Sequence, residues 1–139
     1  MSAKFRFALA PLLERRTLVE QESRHRCALR QQEHRGLLEE MKRLMGALRA
    51  CTTPSSNPRA AYCSNLDAAI GAQWHRISDA RASLEDARKD AISARRDLRA
   101  IEVLRERRRR AFEQEEARRE ELELDETNAR NRQAITPSN

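Results

Sequence analysis

The residues best suited to chemistry are arginines near the C-terminal end of this 139-residue chain. A run from Arg107 to Arg110 is followed by Arg118 and Arg119. Arginine presents a planar fork of donors that suits carboxylates on a partner. The alternative is a solvated helix in which the arginines pair internally with glutamates such as Glu106 and Glu115. The pattern therefore indicates binding chemistry and leaves open which carboxylates are bound.

No residue arrangement in the sequence indicates catalysis. His25, His34 and His75 are scattered, with no nucleophile or carboxylate set around them. No Gly-rich phosphate loop occurs, and the acidic residues follow the spacing of helical charge pairs. We therefore expect a protein that is not an enzyme and has no cofactor and no metal site.

The three cysteines, Cys27, Cys51 and Cys63, lack metal-ligand spacing. We expect free, reduced thiols, although Cys51 and Cys63 flank a predicted turn and oxidation could join them. No secretory signal pattern opens the chain, and no apolar run approaches the roughly 20 residues of a membrane span. These features predict a cytoplasmic protein without direct membrane insertion.

The composition predicts long helices rather than a compact globule. Charged residues make up 36% of the chain and aromatic residues only 4%. Lys and Arg exceed Asp and Glu by 11 to 6 in residues 1–50, whereas residues 65–139 hold 16 of each sign. A nucleic-acid binder would gather its basic residues on one face, and here glutamates interleave them. We expect no nucleic-acid partner; a nucleic-acid- or ribosome-associated coiled coil is an alternative.

A heptad stripe runs through the second half of the chain. Alternating steps of four and three residues reach twelve positions, of which ten are apolar. Such a stripe must be buried against another helix. Its positions are Leu66, Ile70, Gln73, Ile77, Ala80, Leu84, Ala87, Ala91, Ala94, Leu98, Ile101 and Arg105.

The first half of the chain supplies the covering helix. Pro11 suits a first helical turn, so we expect this helix over about 11–50, with a start as early as Phe5 compatible with the pattern. Its middle, Glu20 to Arg35, is poor in apolar residues, and a second copy of the chain completing this seam is an alternative. The predicted seam residues of this helix are Leu38, Met41, Met45 and Leu48.

The connection predicted at 51–64 contains Pro54 and Pro58. Ser64 and Asp67 resemble a capping box, which predicts a second helix over about 65–130 and a disordered tail at 131–139. The expected fold is all-α, a long two-helix antiparallel coiled coil forming one extended hairpin over residues 1–139.

A turn near residue 57 sets the register of this hairpin. Phe5 and Phe7 then approach Phe112, and the helix from Glu113 to Arg130 overhangs its partner. We expect Phe112, Leu122 and Leu124 to lack cover within the chain. An overhang of this kind is suited to insertion into a channel or ring of another protein.

Two aromatic residues lie near the predicted turn. Trp74 flanks the seam, where it serves either as an anchor for a partner or as a cover over the seam. Tyr62 is close in sequence, and Gln73, a polar seam residue, is expected to fix the register.

Both ends of the chain resemble the FliJ family of flagellar type III export proteins. At the N-terminus the resemblance lies in Phe5-Arg6-Phe7-Ala8-Leu9-Ala10-Pro11-Leu12-Leu13-Glu14-Arg15-Arg16. At the C-terminus it lies in Leu104-Arg105-Glu106-Arg107-Arg108-Arg109-Arg110 and in Glu116-Ala117-Arg118-Arg119-Glu120-Glu121-Leu122-Glu123-Leu124-Asp125-Glu126. Between these ends the likeness is only the heptad pattern.

The resemblance implies a central stalk of the hexameric export ATPase that also contacts the export-gate membrane protein and escorts export chaperones. It implies a protein peripheral to the cytoplasmic face of the inner membrane. Stalk proteins of virulence injectisomes share this architecture and are an alternative. The implied gate contact is Trp74 with Tyr62, and the implied ring contacts are Arg107, Arg108, Arg109, Arg110, Phe112, Arg118 and Arg119.

Overall fold

The protein is an all-α helical hairpin, as the heptad pattern predicted. Helix α1 spans Ala10–Ala50 and helix α2 spans Asn57–Ile135. The computed structural model describes residues 3–51 and 57–135, with side chains from residue 60 onward in the second range. Residues 52–56 of the predicted connection and 136–139 of the predicted tail lie outside the described residues.

Helix α1 begins at Ala10 and does not extend back to Phe5. The amide of Ala10 donates to the Phe7 carbonyl at 3.1 Å, and the amide of Leu13 donates to the Leu9 carbonyl at 3.0 Å. Pro11 therefore lies in the first turn, where its missing N–H costs no helical hydrogen bond.

Helix α2 begins eight residues before the predicted start at Asn65 and continues beyond Arg130 to Ile135. The early start places Pro58 in the first turn, as Pro11 is in α1, whereas the Ser64 capping box lies inside the helix. Residues 131–135 contain neither Gly nor Pro, so nothing in their sequence stops the helix. Helix α2 therefore includes residues 57–64 of the predicted connection and residues 131–135 of the predicted tail.

The chain divides into two compact units, each built from parts of both helices. The unit of residues 16–96 contains every buried residue of the described chain. Helix α2 provides most of this core, and its heptad positions are buried or half-buried as far as Ile101. The buried residues are Ser23, Met41, Leu44, Leu66, Gln73, Ile77, Leu84, Ala87 and Ala94.

The α1 seam keeps three of the four predicted residues, Met41, Met45 and Leu48, and includes Leu37 and Leu44 as well. Met41 and Leu44 are buried and Leu37 is half-buried, whereas Leu38 is exposed on the flank. Met45 and Leu48 are half-buried. The prediction for Leu38 was wrong because an adjacent apolar pair at residues 37–38 fits two helical phases equally well.

The middle of α1 lies against α2 with polar side chains. Ser23 is buried, and Glu20, Cys27, Gln31 and His34 are half-buried along the same heptad face. A seam of this kind gains little from apolar burial, so the buried apolar packing of α1 comes from Met41 and Leu44 instead.

The other unit comprises residues 1–15 and 97–139. None of its described residues is fully buried. Its half-buried side chains follow the seam from Leu98 and Ile101 to Phe112, together with Leu13 and the aromatic residues of the N-terminal segment.

Candidate functional site

The candidate site is built around an aromatic pair that joins the N-terminal segment to α2. The ring centroids of Phe5 and Phe112 are 5.6 Å apart, with an angle of 49° between the ring planes. This separation and tilt are favourable for aromatic rings. Phe112 is half-buried as a result, so the expectation that it lacks cover within the chain was wrong.

Arg108 contacts the second aromatic residue of the N-terminal segment. Its guanidinium carbon lies 5.7 Å from the centre of the Phe7 ring, within the range of a cation–π contact. Phe5 and Phe7 precede α1, and their contacts Phe112 and Arg108 lie one turn apart on α2. Arg108 is therefore partly engaged within the chain.

Glu106 pairs with Arg109 and Arg110, the two arginines that follow Arg108. Its carboxylate accepts a hydrogen bond from Arg109 at 3.0 Å and lies 3.4 Å from Nε of Arg110. Arg109 also lies 3.9 Å from the Glu113 carboxylate. The hydrogen bond from Arg109 lowers the pKa of Glu106, and the same bond raises the pKa of Arg109. These contacts orient the arginines along the helix while their heads stay in solvent.

Arg108 has no ion pair in the described part of the chain, and Arg107 and Arg118 have neither an ion pair nor a cation–π contact there. Arg107 and Arg118 are both exposed. Arg119, in contrast, lies 3.8 Å from Glu115 and 3.6 Å from Glu116. The arginine-rich segment thus contains both internally paired arginines and arginines with free donors.

The last part of α2 is exposed on every face. From Ala117 to Ile135 each described residue is exposed, including Leu122 at 58% and Leu124 at 62%. Packing normally supplies most of a helix's stability, so a long, exposed, charged helix is unusual without a partner. Its intrahelical support includes the hydrogen bond from Thr127 to the Glu123 carbonyl.

The unit of residues 16–96 contains the other predicted contact residues. Trp74 is 52% exposed and Tyr62 is 53% exposed. Gln73, next to Trp74, is buried, and its Nε2 donates to the Leu37 carbonyl at 2.9 Å. Trp74 therefore lies next to a residue that is hydrogen-bonded across the seam, and half of the tryptophan surface is in solvent.

Among the described residues, no cluster of His, Cys, Asp and Glu is suitable for a metal ion. Neither of the helices, over the residues described, combines the length and hydropathy needed to span a bilayer.

Sequence reasoning missed the pairing of Phe7 with Arg108 and treated the arginine run as one uniform surface. The available signal was the alternation of Phe5 and Phe7 before Pro11, which is typical of an extended segment with both rings on one side. Taken with the register of the hairpin, it would have assigned one arginine of the run to an internal contact.

A paired helical hairpin with an exposed, arginine-rich helix end is typical of a protein that binds other proteins. A family model described as "Flagellar FliJ protein" matches residues 5–134, nearly the whole chain. The chain therefore belongs to the FliJ family, as the residues at its two ends indicated. This family is a non-catalytic component of flagellar export. Searches of curated proteins and of solved structures found no match.

Proposed function

We propose that this protein is the central stalk of a hexameric flagellar export ATPase, that it couples the ATPase to the export gate, and that it escorts export chaperones. Membership of the FliJ family supports the setting. The observation that supports the stalk role is the exposure of α2 from Ala117 to Ile135, next to the arginine run. A helix exposed on all faces can enter a ring and meet subunits on every side.

In this proposal Arg107 and Arg118 bind carboxylates of the ATPase directly, because both are exposed and unpaired in the described part of the chain. Arg109, Arg110 and Arg119 contribute charge from within their glutamate pairs. Arg108 and Phe112 act mainly by holding the N-terminal segment against α2. The predicted ring contact thus divides into binding residues and positioning residues.

The second part of the proposal concerns the export gate and the chaperones. Trp74 and Tyr62 are exposed aromatic residues, and aromatic residues are frequent anchors at protein interfaces. We assign the gate contact to them and place the protein at the cytoplasmic face of the inner membrane through its partners. The variant Trp74→Ala should lose binding to the gate's cytoplasmic domain in a pull-down. Its binding to the ATPase should stay unchanged.

The stalk role is tested with the purified hexameric export ATPase of the same organism. The double variant Arg107→Glu, Arg118→Glu should bind the ATPase at least about tenfold more weakly, because each substitution places a carboxylate opposite a carboxylate. Affinity is measured by sedimentation or interferometry, together with ATP hydrolysis. Helicity by circular dichroism should stay unchanged, since both residues are exposed.

The matched control is Arg81→Glu, Arg95→Glu, which makes the same charge change on the same helix. Both of these arginines are exposed and have no ion pair in the described part of the chain. The control should bind like the wild type. Equal binding by the test variant and the wild type would overturn the assigned contact, and absence of any complex with the wild type would overturn the stalk role.

The nucleic-acid alternative makes a different prediction. Binding to nucleic acid through the arginine run would weaken steeply with salt, by a slope set by the phosphates contacted. Glu113, Glu115 and Glu116 lie among the arginines and repel phosphate. We expect no shift of nucleic acid in a gel at near-physiological salt.

A further inference from the structure

Two of the three cysteines lie together where the hairpin turns. Cys51 directly follows the last residue of α1, and Cys63 lies in the second turn of α2. The Cys63 thiol donates to the Cys51 carbonyl oxygen, with Sγ and O 3.8 Å apart. Both residues are half-buried and continue the heptad faces that pair α1 with α2. The sulfur of Cys63 therefore contacts the backbone of Cys51.

Formation of a disulfide depends on how closely the backbones of Cys51 and Cys63 approach. A disulfide requires Cα atoms about 4.4–6.8 Å apart and side chains directed towards each other. The Cys51 amide donates to the Leu48 carbonyl at 3.0 Å, a bond three residues back that ends the helix. Because Cys51 follows the last residue of α1, a local shift of Cys51 towards Cys63 leaves the i→i−4 hydrogen bonds of α1 in place.

We propose that Cys51 and Cys63 form a redox-sensitive dithiol, which a two-electron oxidant closes into an intramolecular disulfide joining the end of α1 to the start of α2. With a diazenedicarboxamide as oxidant, one thiolate adds to the N=N bond and the second displaces the nitrogen group. The S–S bond forms, two S–H bonds break, and the diazene gains two protons and two electrons to become a hydrazine. This inference is independent of the stalk role.

Cys27 provides an internal control. It lies on α1, 24 residues before Cys51, which directly follows that helix, and is about 36 Å away at the rise of an α-helix. An intramolecular bond between Cys27 and Cys51 would require α1 to unfold. Selective pairing of Cys51 with Cys63 is therefore the result that this fold favours.

The test is oxidation of the reduced full-length protein with diazenedicarboxamide. We expect a monomer lighter by the mass of two hydrogens, with one free thiol remaining at Cys27. Tryptic digestion without reduction should give peptide 50–59 linked to peptide 60–76, because cleavage after Arg49, Arg59 and Arg76 separates the two cysteines. The rate should not depend on protein concentration.

Three single Cys→Ser variants show which cysteines form the bond. Cys27→Ser should form the bond at the wild-type rate, whereas Cys51→Ser and Cys63→Ser should form none within the monomer. The oxidised protein should also unfold at a higher temperature than the reduced one, because the cross-link constrains the unfolded chain. Linkage of peptide 27–30 to either other cysteine peptide, or covalent dimers as the main product, would overturn the proposal.

Discussion

Gln73 crosses from α2 to α1 and donates from Nε2 to the main-chain carbonyl of Leu37 at 2.9 Å. The side chain is 3% exposed, so the bond is made away from water. A backbone carbonyl occupies one place along a helix, and this bond therefore favours one alignment of the two helices over its neighbours. Polar seam residues commonly fix register in this way at a cost in stability.

The first prediction concerns this bond. Gln73→Glu should destabilise the hairpin by about 1–3 kcal/mol at neutral pH, because a buried carboxylate then faces a carbonyl oxygen. Burial raises the pKa of the introduced carboxyl above its unfolded value. The variant is therefore about as stable as the wild type at low pH, where the carboxyl is protonated. Its stability is lost as the pH rises from the unfolded pKa through the folded pKa.

Urea unfolding of Gln73→Glu at several pH values measures the effect. The control is Gln32→Glu, an exposed position on α1 that should change stability little at any pH. A loss of stability in Gln73→Glu that is the same at pH 4 and pH 7 would contradict the assigned environment.

The second prediction tests the phase of the α1 seam. Leu44→Ala should cost about 2–4 kcal/mol, since Leu44 is 8% exposed and its removal leaves a cavity. Leu38→Ala should cost less than about 1 kcal/mol, because Leu38 is exposed on the flank at 37%. Unfolding in urea compares the two, and similar losses would mean that α1 presents both phases to α2.

The third prediction concerns the titration of Glu106. Its pKa is held below the ordinary value by the hydrogen bond from Arg109. The stabilisation from this pair is present above the unfolded pKa and is lost as the pH falls through the lower folded pKa. Arg109→Gln should therefore raise the pKa of Glu106 towards the ordinary value, as measured by carboxyl-carbon NMR.

Glu40 provides the reference for this titration. Glu40 lies on α1, and its pKa is lowered by a hydrogen bond from Arg43 of the same helix. Arg109→Gln should leave the Glu40 titration unchanged, whereas Arg43→Gln should shift it and leave Glu106 unaffected. A shift of both carboxyls in either variant would point to a general charge effect instead of the two local bonds.

The fourth prediction concerns the exposed end of α2. Truncation after Ala117 removes only residues that are exposed or outside the described chain, and it keeps Phe112 and Glu116. The urea midpoint of the remaining hairpin should stay within the error of the measurement, while total helicity falls. Binding to the export ATPase should be lost if the stalk proposal is right.

A matching truncation after Val103 gives the contrast, because it also removes Phe112 and Arg108 and so releases Phe5 and Phe7. This second truncation should lower the urea midpoint and increase proteolysis after Arg6. Equal stability of the two truncated proteins would contradict a stabilising role for the aromatic contact.

Much of the fold follows from α2 alone. Its stripe from Leu66 to Ile101 is apolar except at Gln73, so only one helical phase buries it, and the structure uses that phase. The α1 stripe was ambiguous because leucine and methionine occur in adjacent pairs. Ser23 and His34 also lie in the seam, but polar residues indicate a seam position only once the partner helix is known. Periodicity cannot rank two phases that bury similar apolar area.

The candidate site was less predictable for a related reason. The sequence shows a run of arginines with glutamates on both sides, but it does not show which arginine is engaged within the chain. Arg108 contacts the ring of Phe7, which lies more than 100 residues earlier in the sequence. The start of α2 was also predicted poorly, since Ser64 and Asp67 fit a capping box yet are tolerated on an exposed helical face.

The polar middle of α1 has a mechanical consequence. Knobs of leucine and isoleucine interlock two helices and resist their relative sliding. Between Glu20 and His34 the α1 face presents Ser23, Cys27 and Gln31 instead, and α2 carries the small residues Ala87 and Ala94 in its stripe. Small knobs leave shallow interlocking, so resistance to sliding is lowest along this stretch and rises towards Met41 and Leu44.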